Sequence, residues 1–145
     1  MKVEELAREA VHCAYTIHVE FGPGLLESVY EAVLAKSLEE RGLRVVRQRA
    51  IPIRFRDFEF EEGFRADLIV EDLLLIELKS VEKPAPVHAK QVLTYLRLLN
   101  LPLGLLINFG AGSFKEAVQR VANRHSDFSA SSLRIHGQNA KEPLI

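Results

Sequence analysis

Two short stretches of the sequence carry most of the information about the fold: Arg65-Ala66-Asp67-Leu68-Ile69 and, shortly after it, Ile76-Glu77-Leu78-Lys79. The second stretch places an acid and a base two residues apart in an otherwise apolar strand. Because side chains alternate across a strand, Glu77 and Lys79 project from one face and their apolar neighbours project from the other. Burying such charges is costly without a compensating partner, so we expect Asp67, Glu77 and Lys79 to converge.

The rest of the chain predicts further helices and strands around this pair. Apolar residues recur at helical spacing before Gly22-Pro23-Gly24 and again before Gly42, whereas period two or unbroken apolar runs follow Leu43. A tight turn at Glu71-Asp72 makes Asp67 a neighbour of the following strand across a hairpin. The predicted elements are helices over about 3–21, 25–41, 87–100 and 114–123, and strands over about 43–55, 58–70, 73–79 and 103–109.

The order of these elements is α-β-β-β-α-β-α when the opening helical pair counts as one unit. We therefore predict the α/β (α+β) class, with a central mixed sheet flanked by helices. Residues 1–124 are expected to form a single domain, because the length suits one hydrophobic core. Residues 125–145 are rich in Ser and have no clear period, so we expect a loosely ordered tail.

The composition excludes several classes of protein. The single cysteine, Cys13, excludes an intramolecular disulfide, a four-cysteine zinc site and an iron–sulfur cluster held by one chain. The first residues are acidic and amphipathic, without the pattern of a signal peptide, and no apolar run approaches membrane-spanning length. We therefore expect a soluble, cytoplasmic protein without a membrane partner.

The net charge of -1 conceals an uneven distribution along the chain. Residues 1–40 carry three basic and eight acidic groups, whereas residues 41–65 carry seven arginines and four acids. Two interpretations remain open. Either the arginines are the solvated sides of edge strands, or a few of them form a groove that contacts phosphate.

Asp67, Glu77 and Lys79 are the side chains that metal-assisted phosphodiester hydrolysis requires. Two carboxylates and the backbone carbonyl of Leu78 are hard oxygen ligands for Mg²⁺ or Mn²⁺, and waters and a phosphate oxygen would complete the coordination. The metal would polarise the phosphate and lower the pKa of its bound water. Lys79 can position or help to deprotonate that water and can offset charge in the transition state.

Two more polar groups are candidates for the same site. Glu27, near the start of the second helix, can face the sheet as an additional carboxylate ligand. Gln91 and Tyr95 are four residues apart and share one face of the helix after Lys79. Gln91 is expected to hydrogen-bond the attacking water or a phosphate oxygen and to orient Lys79. Tyr95, like Tyr30, is expected to pack as an aromatic rather than to stack on bases.

These residues resemble the core of the PD-(D/E)XK nuclease superfamily at Asp67, at Glu77-Leu78-Lys79 and at the trailing Gln91. The resemblance implies a restriction-endonuclease-like αβββαβ core, which agrees with the predicted order of elements. Ala66 stands where the superfamily often has Pro before its Asp, which is a mild departure from the pattern.

A second motif is similar to that of one branch of the superfamily. Gly24-Leu25-Leu26-Glu27-Ser28-Val29-Tyr30 resembles the motif that names the GxxExxY family, and it is preceded by His18 and Gly22-Pro23 as in that family. Segments 87–95 and 103–109 resemble the family too, so the likeness runs from about residue 18 to residue 109. It implies an active-site set of Glu27, Asp67, Glu77 and Lys79, with Gln91 in support.

Two functions remain open. The first is a Mg²⁺-dependent nuclease that hydrolyses DNA, or RNA, and the second is a non-catalytic nucleic-acid- or protein-binding module that retains the fold. A chain of this size has little surface for target recognition, so we also expect a homodimer. His18 and His88 are either phosphate contacts or neutral histidines satisfied by one hydrogen bond, and neither is predicted to be catalytic.

Overall fold

The computed structural model describes residues 1–124, so the tail predicted at 125–145 lies outside the described residues. A short 3₁₀ turn at Phe114–Glu116 precedes the last described strand. Among residues 1–124, every helix is too short or too polar to span a lipid bilayer. The longer elements of residues 1–124 are the helices α1 (Val3–Phe21), α2 (Glu27–Glu40) and α3 (Pro86–Leu99) and the strands β1 (Val45–Phe55), β2 (Phe58–Val70), β3 (Leu74–Lys79), β4 (Leu103–Asn108) and β5 (Val118–Ala122).

The strands of the described chain form one five-stranded mixed sheet in the order β1-β2-β3-β4-β5. Neighbouring strands are antiparallel except for β3 and β4, which are parallel because α3 carries the chain back across the sheet between them. The predicted α/β (α+β) class, a mixed sheet flanked by helices, is confirmed. The αβββαβ order also agrees with the prediction as far as β4.

Each face of the sheet has its own hydrophobic core. The core under α1 and α2 contains Ile76 and Leu78 of β3, whereas the core under α3 contains Leu75. Alternation along the strand therefore places Glu77 and Lys79 on the α3 side, opposite the apolar set, as the sequence predicts.

The prediction of a helix at 114–123 is wrong. Only Phe114–Glu116 is helical, as a 3₁₀ turn, and Val118–Ala122 forms β5 antiparallel to β4. Val118 packs against the α1–α2 core and Val121 against the α3 core, so the spacing that suggested a helix reflects contacts on both faces of a sheet. Pairing also covers the backbone edge of β4, which outweighs a short helical pattern.

The helical spacing of apolar residues before Gly42 predicts that α2 buries Leu26, Val29, Tyr30, Val33, Leu34 and Leu38, and this prediction is partly wrong. Tyr30 and Leu34 are fully buried, but Leu26 and Val29 are 73% and 39% exposed. The helix begins one residue after Leu26, which therefore lies in extended backbone before the first turn. The buried stripe of α2 includes an acid instead, Glu31, at 6% exposure.

Candidate active site

The strands β2 and β3 separate where the two predicted acids lie. Their antiparallel ladder ends at the Leu68–Ile76 pair. Beyond it, Glu77 Oε1 accepts a hydrogen bond from the backbone N–H of Asp67 at 2.9 Å, and Asp67 Oδ2 accepts one from the N–H of Leu78 at 2.8 Å. The carboxylates thus occupy the gap between the strands and satisfy backbone donors there. The structure brings Asp67 and Glu77 together, as predicted.

Both carboxyl groups are poorly hydrated. Glu77 is 9% exposed and Asp67 is half-buried. Burial, and then repulsion from Asp67, raises the pKa of Glu77 to about 8. Burial is also the main reason why the pKa of Asp67 lies above its usual range, while the hydrogen bond from Leu78 acts in the opposite direction. Neighbouring acids whose ionised forms are both disfavoured are typical of sites that bind a cation or transfer a proton.

Lys79 and Glu27 lie within electrostatic range of this pair. The charge of Lys79 acts to lower the pKa of Glu77, whereas Glu27 acts to raise the pKa of both Glu77 and Asp67. Within residues 1–124 neither Lys79 nor Glu27 forms a hydrogen bond or an ion pair through its side chain. The structure therefore places both groups near the gap with their polar ends free of other described residues.

Gln91 and Tyr95 differ in their relation to the gap. Tyr95 is buried, and the charges of Glu77 and Asp67 contribute, after burial, to the raised pKa of its hydroxyl. The phenol therefore lies within electrostatic range of the two carboxylates. Gln91 is exposed one turn earlier on α3 and makes no hydrogen bond to any described residue. No hydrogen bond joins Gln91 to Lys79, and both residues lie within the described part of the chain.

A further residue of the site, Gln48, is absent from the predicted set. It lies opposite Asp67 in the β1–β2 ladder and has a φ of 52°, a left-handed conformation that is rare for residues other than Gly inside a strand. The strand β2 changes face at this level, because Ala66 packs in the α3 core and Leu68 in the α1–α2 core. Strict alternation would place both on the same side. Periodicity alone could not reveal this switch.

Gln48 belongs to a chain of polar contacts that runs from α2 to Asp67. Its Nε2 donates to Oε1 of Glu31 at 2.7 Å and to Oδ1 of Asp67 at 3.1 Å. Glu31 also accepts a hydrogen bond from Nε of Arg47 at 3.1 Å. One signal could have revealed Glu31 in the sequence, namely its position one helical turn after Glu27 and in register with the buried stripe of α2.

The two histidines whose roles were left open have structural partners. Nε2 of His18, which is buried, lies 2.9 Å from the carbonyl oxygen of Ala111. Because a carbonyl can only accept, this nitrogen carries the proton and donates. Nδ1 of His88 accepts a hydrogen bond from the N–H of Ala85 at the start of α3, at 3.1 Å. These contacts favour the structural interpretation for both residues.

The arginines of residues 41–65 are mostly neutralised by acids. Arg65 donates to the carbonyl oxygen of Gln48 at 3.2 Å, and Arg56 lies over the ring of Phe55. This pattern favours solvated strand sides over a continuous basic groove. Carboxylates lie within ion-pair distance of Arg41, Arg44, Arg47, Arg49 and Arg54.

The donor atoms at the gap fit a hard divalent cation. Asp67 and Glu77 offer carboxylate oxygens. The N–H of Leu78 points toward β2, and the carbonyl of a strand residue points to the same side as its N–H, so this carbonyl also faces the gap. No three His, Cys, Asp or Glu side chains in residues 1–124 are grouped closely enough to hold a metal ion. A cation here would need the backbone carbonyl, waters and substrate oxygens as well, a mixture that suits Mg²⁺.

Comparison with known proteins supplies the class of protein. The sequence profile of a family described as the PD-(D/E)XK nuclease superfamily matches residues 4–121. This match covers most of the chain, and the chain therefore belongs to the PD-(D/E)XK nuclease superfamily. The narrower GxxExxY assignment is not confirmed. Neither the curated proteins nor the solved structures include a match to the chain.

Membership in the superfamily has coarse consequences for fold and function. The predicted restriction-endonuclease-like fold is confirmed, since the mixed sheet and its helices agree with the family. The superfamily implies nuclease function and nucleic-acid binding. Its nucleases generally use divalent metals.

Proposed function

We propose that this protein is a Mg²⁺-dependent nuclease that hydrolyses phosphodiester bonds of DNA, with RNA as the alternative substrate. The observation that carries the proposal is the reciprocal pair of hydrogen bonds between β2 and β3, which holds the carboxylates of Asp67 and Glu77 side by side. Ionised acids buried in this way destabilise a fold unless a cation compensates them, so a purely structural role does not explain them.

Each residue at the gap is assigned a role in this reaction. The chemistry that bound Mg²⁺, or Mn²⁺, would supply is polarisation of the phosphate and activation of water. Asp67, Glu77 and the carbonyl of Leu78 would hold the ion. Lys79, which has no ion pair within the described chain, offsets negative charge on the phosphoryl group and helps to position the water. Glu27, the first residue of α2, adds a further carboxylate beside the ion.

Gln91 is assigned a supporting role that involves the substrate. It projects from α3, the helix that covers the face of the sheet carrying Lys79. An exposed amide can donate to a phosphate oxygen or accept from a water. We therefore propose that Gln91 contacts the bound substrate or the attacking water rather than Lys79.

Cleavage by the purified protein tests the proposed reaction. Plasmid, single-stranded and structured DNA, and matched RNA, would be incubated with Mg²⁺ or Mn²⁺. We expect cleavage that requires the metal and is lost in Lys79→Ala and in Asp67→Ala. Lys36→Ala, which removes an exposed lysine of α2, is the matched control and should cleave normally. Cleavage that survives either site substitution would point to a contaminant and overturn the assignment.

Metal titration separates an enzyme from a module that only binds nucleic acid or protein. Isothermal titration with Mn²⁺ should show binding to the wild-type protein that is lost in Asp67→Ala and in Glu77→Ala. A protein that retains the fold with a decayed site would bind no metal through these residues. The titration needs no substrate, so it does not depend on choosing the correct nucleic acid.

We also propose that the protein acts as a homodimer. The chain is small for recognition of a duplex, and a dimer would place two sites against two strands. Analytical sedimentation at increasing protein concentration, with and without DNA, tests this proposal. A strictly monomeric protein at high concentration and on DNA would reject it.

A further inference from the structure

We infer that Gln48 is a positioning residue that holds Asp67 in the orientation required for metal binding. This inference rests on the proposed function, because it concerns the same carboxylate. Gln48 lies on β1, outside the acid and lysine set, and it does not occupy a ligand position itself. Its side chain connects that set to α2.

The side-chain amide of Gln48 bridges two acids from different elements. Its Nε2 donates one hydrogen bond to Glu31 of α2 at 2.7 Å and one to Asp67 of β2 at 3.1 Å. A primary amide has two N–H donors on one nitrogen and no ionisable proton, so it can satisfy both carboxylates whatever the pH. The opposite amide orientation would point its oxygen at two carboxylate oxygens, which excludes it on electrostatic grounds.

These bonds complete the positioning of Asp67 from both sides. Oδ2 is held by the backbone N–H of Leu78, and Oδ1 is held by Gln48. Glu31 on the far side of the amide is itself anchored, because it is buried and accepts a second hydrogen bond from Arg47. Removal of the amide would leave Oδ1 of Asp67 without its hydrogen bond. The carboxylates of Asp67 and Glu31 would then have no donor between them.

The backbone at Gln48 indicates that its side chain is needed. A φ of 52° is unfavourable for a residue with a long side chain, and Gly or Asn would adopt it more easily. Strained residues of this kind persist where the surrounding structure determines them, and they concentrate at functional sites. The strain coincides with the level at which β2 changes face, so the conformation directs the amide toward Asp67.

Two substitutions separate the amide from the backbone conformation. Gln48→Met keeps the length of the side chain and removes both donors. Gln48→Gly also removes the donors, but it relieves the unfavourable φ and should not destabilise the strand for that reason. Arg49→Met is the matched control on the same strand, because the guanidinium of Arg49 lies 3.9 Å from Asp72 and forms no hydrogen bond or ion pair with Asp67 or Glu31.

The readouts are Mn²⁺ affinity by isothermal titration and hydrogen exchange at the Leu78 amide, which reports the bond to Asp67 without any metal. Both Gln48 variants should bind Mn²⁺ about 10- to 100-fold more weakly, the usual effect of losing a group that orients a ligand. Exchange at Leu78 should accelerate, and in a nuclease assay kcat should fall more than KM changes. Arg49→Met should match the wild type in every measurement.

The possible results distinguish this inference from the proposed function. If the wild type and both Gln48 variants bind Mn²⁺ with equal affinity and show equal exchange at Leu78, the positioning role is overturned while the nuclease proposal stands. If the wild type binds no Mn²⁺ at all, the proposed function is overturned, and the proposed role of Gln48 in metal binding is overturned as well. A loss of affinity confined to Gln48→Met would trace the effect to backbone strain and also overturn the role of the amide.

Discussion

The β1–β2 hairpin has a partly buried acid at one end and acids exposed to water at the other. The site end comprises residues 47–51 of β1 and 64–68 of β2, where Gln48 lies opposite Asp67. Its polar groups reach inward, and the acid that Gln48 contacts on α2, Glu31, is only 6% exposed. The carboxylates here are held by an amide and by backbone donors, in surroundings that raise the pKa of Asp67.

The distal arm, defined as residues 53–60, is open to water. The ion pair between Arg54 and Glu59, at 2.8 Å, crosses its two strands, and the side chains are 74% and 41% exposed. Large apolar side chains are also exposed here, namely Phe55, Phe58 and Phe60, at 58%, 62% and 55%. The same two strands therefore carry an exposed ion pair at one end and, at the other, one acid, Asp67, which lies close to Glu31 of α2 and Glu77 of β3.

The difference between the two ends shows that selection for stability alone does not explain the buried acids. An exposed ion pair costs little to form and contributes little to the free energy of unfolding. A buried acid beside another acid costs free energy whenever both are ionised. The site end keeps Asp67 beside such an acid, Glu77 of β3, where apolar residues would serve the fold better, and this is the physical argument for a functional role.

The largest expected contrast between the two ends is in catalysis. Asp67→Asn removes the charge of a proposed metal ligand, so the cleavage rate with Mg²⁺ should fall by about 10³-fold or more, since metal polarisation is worth several kcal/mol of transition-state stabilisation. Asp57→Asn makes the same change in the turn of the distal arm and should leave the rate unchanged. The measurement is initial cleavage rate at saturating metal. Equal losses in both variants would remove the distinction between the ends.

The second contrast is in the pH dependence of stability. Glu77 has an ordinary pKa of 4.5, but burial and then Asp67 raise its pKa in the folded protein to about 8. Between these values the folded state binds more protons than the unfolded state, so its stability falls as pH rises. For the metal-free protein we expect the contribution to be fully present below pH 4.5 and lost by about pH 8, with a total on the order of 5 kcal/mol.

Urea unfolding at several pH values with a chelator present measures this dependence. Glu77→Gln should flatten the curve and be the more stable protein at pH 8, with a remaining slope from Asp67, whose pKa is also raised by burial. Glu59→Gln, in the distal arm, should keep the wild-type curve. Mn²⁺ should restore stability to the wild type at high pH, because a ligand that binds only the folded state stabilises it. A wild-type curve that rises across this range would contradict the raised pKa.

The sequence was sufficient to predict how the acids come together. Charged residues inside an apolar strand can be recognised from the sequence alone. The turn at Glu71-Asp72 then determines which residues of the two strands face each other. The strands end at Val70 and begin again at Leu74, within one residue of the prediction. Alternation along β3 then places Glu77 and Lys79 on one face, because nothing interrupts the period of that strand.

The sequence was not sufficient where a local pattern is interrupted or ambiguous. Gln48 was missed because its positive φ coincides with the change of face in the neighbouring strand β2, and no composition or spacing marks that change. Glu31 was missed because an acid on a helix is normally solvated, and only the amide of Gln48 and the guanidinium of Arg47 make its burial acceptable. β5 was predicted as a helix because five residues do not distinguish the two periods, and the exposed edge of β4 decided the outcome.

A third contrast concerns packing. It compares the substitution of Gly by Ala in the core, at Gly104, with the same substitution in the β1–β2 hairpin next to the distal arm, at Gly63. A Cβ at Gly104 of β4 would lie 2.7 Å from Cγ1 of Val92, which is fully buried in α3 and cannot move aside. Gly104→Ala should therefore destabilise the protein by about 1–3 kcal/mol, the usual cost of overpacking. Chemical denaturation at fixed pH measures the change.

Gly63→Ala is the counterpart in the hairpin. Its Cβ would lie 2.3 Å from Cγ1 of Ile53, so something must shift, but both strands are open to solvent here and can separate slightly. We expect a loss of less than about 1 kcal/mol, because the strain relaxes outside the core. A loss equal to that of Gly104→Ala would show that this part of the hairpin is as tightly packed as the interface between α3 and β4.

The smallest contrast is between two arginine–glutamate pairs on the same strand. Arg47 donates to Glu31, whose side chain is 8% exposed, and Arg54 pairs with Glu59, where both side chains face water. Arg47→Met should cost about 1–2 kcal/mol, because it leaves a buried oxygen without one of its donors. Arg54→Met should cost about 0–0.5 kcal/mol. Double-mutant cycles with Glu31→Gln and Glu59→Gln isolate each coupling from the loss of aliphatic packing. Equal couplings would mean that burial of the acid does not set the strength of these pairs, and the contrast between the two ends would then not extend to their arginine–glutamate pairs.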